Sequence, residues 1–137
     1  MSEVILQVLA ELEQEHGEVR EALSALGGFA KGGDEERLRS ALPGWAGILC
    51  AGLDEHSRKE DTVAFPPVAE AVGSGIIATF VSEHVEILAA RDRLYAAHGD
   101  ADLLTECLDL ASLLESHMDR EESILFPSIR DVLEAGD

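Results

Sequence analysis

Apolar positions recur every three to four residues along four long stretches of the chain, the period of an amphipathic α-helix. The first stripe is Val8, Leu12, His16, Val19, Leu23 and Leu26. It predicts a helix from about Glu3 to Ala30, stopped by Lys31-Gly32-Gly33. The second is Trp45, Leu49, Leu53, His56, Glu60 and Val63, in a helix that opens at the N-cap Asp34 and reaches about Ala64. Pro43 lies inside it and predicts either a kink or a separate short helix over residues 34–42. Phe65-Pro66-Pro67 ends that run, a short turn of helix follows over residues 68–72, and Gly73-Ser74-Gly75 closes the first half. The third helix reads from Ser74 to about Ala97 through Ile77, Phe80, His84, Leu88 and Tyr95. The fourth, capped by Asp100, carries Leu103, Cys107, Leu110, Leu114, His117, Glu121 and Ile124. Phe126-Pro127 stops it, and residues 128–134 form a last short helix.

Two segments are near copies of each other. HSRKEDTVAFPP begins at His56 and HMDREESILFPS at His117, and a single shift of 61 residues superposes His56, Glu60, Phe65 and Pro66 on His117, Glu121, Phe126 and Pro127. A shift of 68 likewise relates Glu15, His16 and Glu18 to Glu83, His84 and Glu86. The chain therefore reads as a duplicated αα hairpin. Closed on itself, it gives an all-α, up-down four-helix bundle with a pseudo-twofold axis and short helices after helices 2 and 4. The expected organisation is one domain over residues 1–137.

Composition narrows the setting. With 137 residues and 46% apolar side chains the chain can bury a core, but no apolar run has the length of a membrane span. The acidic, amphipathic amino terminus is unlike a secretory signal, so a cytoplasmic protein is expected. A formal charge of −18 argues against nucleic acid and anionic membrane surfaces as partners. Cys50 and Cys107 stand in apolar surroundings, form no Cys-x-x-Cys pair, and read as buried thiols.

The repeat also carries chemistry. Residues four apart on a helix differ by about 40° and about 6 Å, so each His-x-x-x-Glu projects an imidazole and a carboxylate from one face. His-x-x-x-Glu alone is weak evidence, and His98 with Asp102 spans a helix boundary and reads as non-functional. His16, His56, Glu60, His84, His117 and Glu121 differ, because all six fall on the stripes that face the bundle interior. Burying two ionised carboxylates without cations costs on the order of several kcal/mol each. Arg20, Arg58, Lys59 and Arg120 point elsewhere by helical phase, so two divalent metal ions are the expected compensation. His16 and His56 would serve one ion, His84 and His117 the other, with Glu60 and Glu121 bridging. Mixed imidazole and carboxylate donors suit iron, or manganese, better than a closed zinc site.

The pattern H…HxxxE…H…HxxxE over four helices, with its doubled HxxxE-x4-FP block, resembles the hemerythrin family and most closely its HHE cation-binding branch. That resemblance covers essentially the whole chain. It implies a non-haem di-iron bundle, Fe2+/Fe3+ with an oxo or hydroxo bridge, that reacts with dioxygen or its relatives. Two departures stand out. Oxygen-carrying hemerythrins place a second histidine one turn after the third-helix histidine, where this chain has Leu88. They also end on a carboxylate five residues after the last histidine, where Glu122 stands, although the internal repeat favours Glu121 at four. Six protein donors leave open positions on both ions, which favours redox chemistry on hydrogen peroxide, of catalase or peroxidase type, or on nitric oxide. The alternative is a non-catalytic carrier, store or sensor of O2, NO or iron. No residue names an electron donor.

Four further positions carry expectations. Gly52, one turn before His56, leaves room for a small channel if it does not merely allow close helix packing. Tyr95 and Trp45 lie about 16 Å along the axis from the nearest histidine of their helix and read as core or rim residues. Phe65 and Phe126 are expected to plug the bundle end beside the metal turn.

Overall fold

The computed structural model describes residues 2–97 and 100–136, the side chains of residues 100 and 101 excepted. Helix α1 (Ser2–Lys31) packs against α6 (Asp100–Arg120), α6 packs against α5 (Ser74–Ala96), and α2 (Glu35–Ala46) lies against α1. Asp34 caps α2 as its sequence position predicts, its carboxylate accepting from the Arg37 amide at 3.1 Å. After α2 the second rod continues through a π-helical segment (Gly47–Gly52), α3 (Leu53–Lys59) and a second π-helical segment (Glu60–Ala64). The fourth rod has the matching form, α6 followed by a π-helical segment (Glu121–Leu125) and then α7 (Phe126–Gly136). The four-helix bundle is therefore the observed fold, with no strand among the described residues. No helix of the described residues is long and apolar enough to cross a membrane.

The wide turns correct several details of the predicted stripes. A π turn holds about one residue more than an α turn, so the residue that faces inward after it moves one place along the chain. After Glu121 the buried positions are Leu125 and Phe126, while Ile124, predicted to be interior, is 58% exposed. After Glu60 they are Ala64 and Phe65, and Val63 is only half-buried. Pro43 neither breaks α2 nor sets off a separate helix; it is exposed within α2, and the irregularity comes downstream at Gly47–Gly52. Pro127 does not stop the fourth rod. It occupies the first turn of α7, where a missing amide costs little, and the helix runs on to Gly136. In the first half the chain passes instead through a 3-10 turn (Pro66–Val68) and a short α4 (Ala69–Val72), and Gly73 alone makes the reversal with φ +131°. Ser74 and Gly75 already belong to α5. On α5 the fully buried line runs through Ile87, Arg91 and Leu94, with Leu88 and Tyr95 only partly buried beside it. The side chain of Asp100, the predicted cap, and His98 of the His98–Asp102 pair lie outside the described residues.

The core is not continuous. One apolar cluster, including Leu23, Leu49, Leu94 and Leu110, fills the half of the bundle that holds α2. A second, including Leu9, Phe65, Phe80, Phe126 and Ile129, fills the other half. Between them lies a layer of buried polar side chains contributed by all four rods.

Arg91, on α5, is the one buried arginine or lysine among the described residues, 6% exposed. Its guanidinium donates to the Leu49 carbonyl at 2.9 Å and the Cys50 carbonyl at 3.1 Å, both inside the first π-helical segment, and to the Asp54 and Asp92 carboxylates. A widened turn leaves carbonyls without their usual helical partners, and Arg91 supplies donors for them. Tyr95 works similarly one turn on, donating to the Leu42 carbonyl at 2.8 Å, and burial pushes its hydroxyl up to about 12. Arg91→Met is therefore expected to lower the unfolding free energy by about 2–3 kcal/mol in urea denaturation, because buried carbonyls lose their donor. Asp92→Asn, at the exposed end of the same network, should change it by less than about 0.5 kcal/mol.

Candidate metal centre

The polar layer holds the six residues singled out by the repeat. α1 and α5 each contribute one histidine, His16 and His84; α3 and α6 contribute His56 and His117; the two π-helical segments open on Glu60 and Glu121. All six are buried, and both glutamates are 0% exposed. They form two groups that share the carboxylates, His16, His56, Glu60 and Glu121 in one and Glu60, His84, His117 and Glu121 in the other. Within each group one ligand atom per residue lies within 4.8 Å of all the others. Each carboxylate reaches across the pseudo-twofold. His16 Nε2 is 3.1 Å from Glu121 and His84 Nε2 is 2.8 Å from Glu60.

Outside the imidazoles stands a second layer that sequence reasoning did not identify. Every Nδ1–H donates to a carboxylate: His16 to Glu122 at 2.7 Å, His56 to Glu15 at 2.8 Å, His84 to Asp61 at 2.7 Å and His117 to Glu83 at 2.8 Å. A proton held at Nδ1 leaves the Nε2 lone pair directed inward, the tautomer a metal ion requires. Three of these carboxylates are in turn held by cations, Glu122 by Arg20, Glu15 by Lys59 and Glu83 by the two terminal guanidinium nitrogens of Arg120. Arg20, Lys59 and Arg120 thus do not point away from the centre, as helical phase predicts; their length brings them round to its outer layer. The fourth carboxylate, Asp61, has no cation among the described residues, and Leu88 stands in sequence register with Arg20 on the opposite hairpin. The signal for this layer lay in the repeat: an acid precedes each first-helix histidine, and an acid follows Glu60 and Glu121.

The electrostatics of the inner layer are unresolved by protein groups alone. Burial and the neighbouring Glu121 push the Glu60 carboxyl up. Burial also works against charge on Glu121, but the close approach of Glu60, His117 and His16 outweighs it and holds its carboxyl well below the usual range. Burial opposes a charge on His117, yet the carboxylates of Glu121 and Glu60, 3.4 and 3.9 Å from its Nε2, push it up to about 10. His16 and His84 are raised against their burial by Glu121 and Glu60, whereas burial keeps His56 low. Even so, Glu60 Oε2, Glu121 Oε2 and His117 Nε2 are buried with no hydrogen-bond partner. Orphaned acceptors on two fully buried carboxylates are costly, and a divalent cation in each group would occupy them, displace the imidazole protons and neutralise both charges. The donor set therefore fits metal ions.

Aromatic rings close one side of the layer. Phe126 stacks on His16 with centroids 5.7 Å apart, Phe65 stacks on His84 at 6.4 Å, and Phe80 meets His117 edge-on at 5.4 Å. On the other side lies a cavity lined by all four imidazoles, by Val19, Leu53, Ile87, Leu114 and Met118, and by the hydroxyl residue Ser57. About 10 Å³ of it is available to the centre of a water molecule, room for one small guest. Leu88 is absent from the lining and packs against the apolar core. Ser57 is a functional candidate that the sequence did not single out.

A family model described as the hemerythrin HHE cation binding domain matches residues 7–129, a span that contains all six inner residues and all four outer carboxylates. No match was found among curated proteins or among solved structures. A match over most of the chain, joined to a four-helix bundle with buried clusters of histidine and glutamate able to hold metal, places this protein in the hemerythrin HHE cation-binding family.

Proposed function

We propose that this is a non-haem di-iron protein that breaks down hydrogen peroxide, with His16, His56, Glu60 and Glu121 holding one ion and Glu60, His84, His117 and Glu121 the other. The observation that carries the reading is the cavity: it touches all four imidazoles, is otherwise almost wholly apolar, and has room for one small molecule. Held there, a pair of irons would supply two-electron redox chemistry, by which one hydrogen peroxide with two protons is reduced to two waters and a second is oxidised to O2 and two protons. Manganese fits the same donor types, and nitric oxide fits the same cavity.

The chain's own residues then have separate tasks. The outer carboxylates hold the Nδ1 protons and orient the rings, so that four inward lone pairs converge with two shared carboxylates. The apolar lining excludes larger substrates and bulk water. Among the described residues Ser57 is the only hydroxyl residue on the cavity wall, and Met118 takes its place in the other half of the repeat. It can hydrogen-bond an oxygen of the guest and hold a proton near it, a task that no surrounding aliphatic side chain can perform. Six donors shared between two ions would leave positions open on both, which favours turnover over reversible carriage.

Elemental analysis of the purified protein, with an optical spectrum before and after peroxide addition, tests the reading. The expected result is about two irons per chain, a charge-transfer band that changes on addition, and O2 evolved at half the peroxide consumed. Bound iron with no peroxide loss and a stable oxygenated spectrum would assign the centre to carriage or sensing instead. A second prediction concerns the hydroxyl. Ser57→Ala should lower kcat for peroxide about tenfold with iron content unchanged, a difference visible when both proteins are assayed at equal iron.

A further inference from the structure

The cavity beside the imidazoles is sealed on one side by Phe65 and Phe126, so a guest must reach it from the half of the bundle that holds α2. A surface pocket of about 160 Å³ lies in that half, between α1 and the second rod. Its rim is formed by Glu15, Glu18, Gly47, Ile48, Gly52 and Glu55, and its floor by Val19 and His56. Val19 and His56 also line the internal cavity. The two spaces are thus separated by the thickness of one pair of side chains, 3% and 6% exposed.

The opposite hairpin repeats this arrangement only in part. Its surface pocket, about 220 Å³, is lined at the matching positions Glu83, Glu86, Ile87, Leu113 and Ser116, but it does not touch His117 and shares only Ile87 with the cavity, where the first shares both Val19 and His56. In sequence register, Leu108 and Leu113 stand there in place of Gly47 and Gly52, and that rod stays α-helical where the first carries its π-helical segment. The two glycines do different things. A Cβ at Gly52 would lie 3.0 Å from the Gly47 carbonyl oxygen, a contact tight enough that the wide turn would have to shift by a few tenths of an ångström to admit it. A Cβ at Gly47 would meet nothing within 4 Å, so no packing contact requires glycine there and a side chain would stand in the pocket that Gly47 lines.

We infer that the π-helical segment Gly47–Gly52 is a single-sided doorway, through which a small uncharged molecule such as nitric oxide or hydrogen peroxide passes between Val19 and His56 to the cavity. His56 is the hinged side of the door. Its Nδ1 bond to Glu15, itself tied to Lys59, holds the ring in place, while Val19 has only apolar contacts to lose. A rim carrying Glu15, Glu18 and Glu55, with Lys59 paired to the first and Arg58 to the last, gives anions no advantage.

This inference rests on the proposed iron centre, and the test separates the two. Iron content is measured first, and nitric oxide association with the ferrous protein is then followed by stopped-flow absorbance. Gly47→Leu should lower the association rate constant at least tenfold and the dissociation rate in parallel, leaving the nitric oxide Kd and the iron content within twofold of the original protein. Val19→Ala should raise both rates, and Ser112→Leu, on the opposite face, should change neither. Gly47→Ala provides a milder block, expected to lower the rate severalfold. An iron-loaded Gly47→Leu protein with an unaltered association rate overturns the doorway alone, as does an equal loss in Ser112→Leu. A protein without iron overturns the proposed centre and the doorway with it.

Discussion

Glu60 and Glu121 lie at the middle of this fold with no exposure to water, each close to imidazoles and to the other, and each keeps an oxygen that no protein donor reaches. An uncompensated carboxylate at such a depth costs several kcal/mol by about any measure of ion transfer. The arrangement around them can be understood as what this cost imposes. Four imidazoles turn their Nε2 atoms toward the pair, four carboxylates take the outer imidazole protons, and three long cations neutralise three of those carboxylates at the surface. Charge alternates from the centre outward, and cations within the two shared groups would complete the series.

The same layer explains the divided core and the wide turns. Apolar clusters lie on both sides of it, so the four rods must present polar atoms at one level and leucines immediately above and below. At Glu60 and Glu121 the helix widens to a π turn, which holds the carboxylate inward and brings the next phenylalanine round to face an imidazole of the opposite hairpin. A regular α-helix would turn Ile124 inward in its place. The third wide turn, at Gly47–Gly52, has no carboxylate and is braced by the buried Arg91.

The bundle and the six inner residues were legible because the repeat states them twice, and because a polar residue on an apolar stripe has no other direction in which to point. The helix ends and the stripes beyond each glutamate were not, since helical phase counted at 3.6 residues per turn fails wherever a π turn adds a residue. The outer carboxylates were missed for a different reason. Glu15, Asp61, Glu83 and Glu122 sit at half-exposed flanking positions where acidic residues are common, and only the three-dimensional approach of neighbouring rods joins them to the histidines. Cations were misplaced likewise, because phase describes where a Cβ points and not where a long side chain ends.

The duplication is also incomplete in ways that matter to chemistry. Arg20 has no counterpart beside Asp61, Ser57 is matched by Met118, and Gly47 by Leu108, so the two halves share an inner donor set but differ around it. All of these differences are secondary to the buried pair of acids. Thermal unfolding of the original protein and of a Glu60→Gln/Glu121→Gln variant, each with and without metal, tests that claim most directly. Removing metal should lower the melting temperature of the original protein by about 10 °C or more and leave the variant unchanged; an original protein whose unfolding is indifferent to metal would contradict the account.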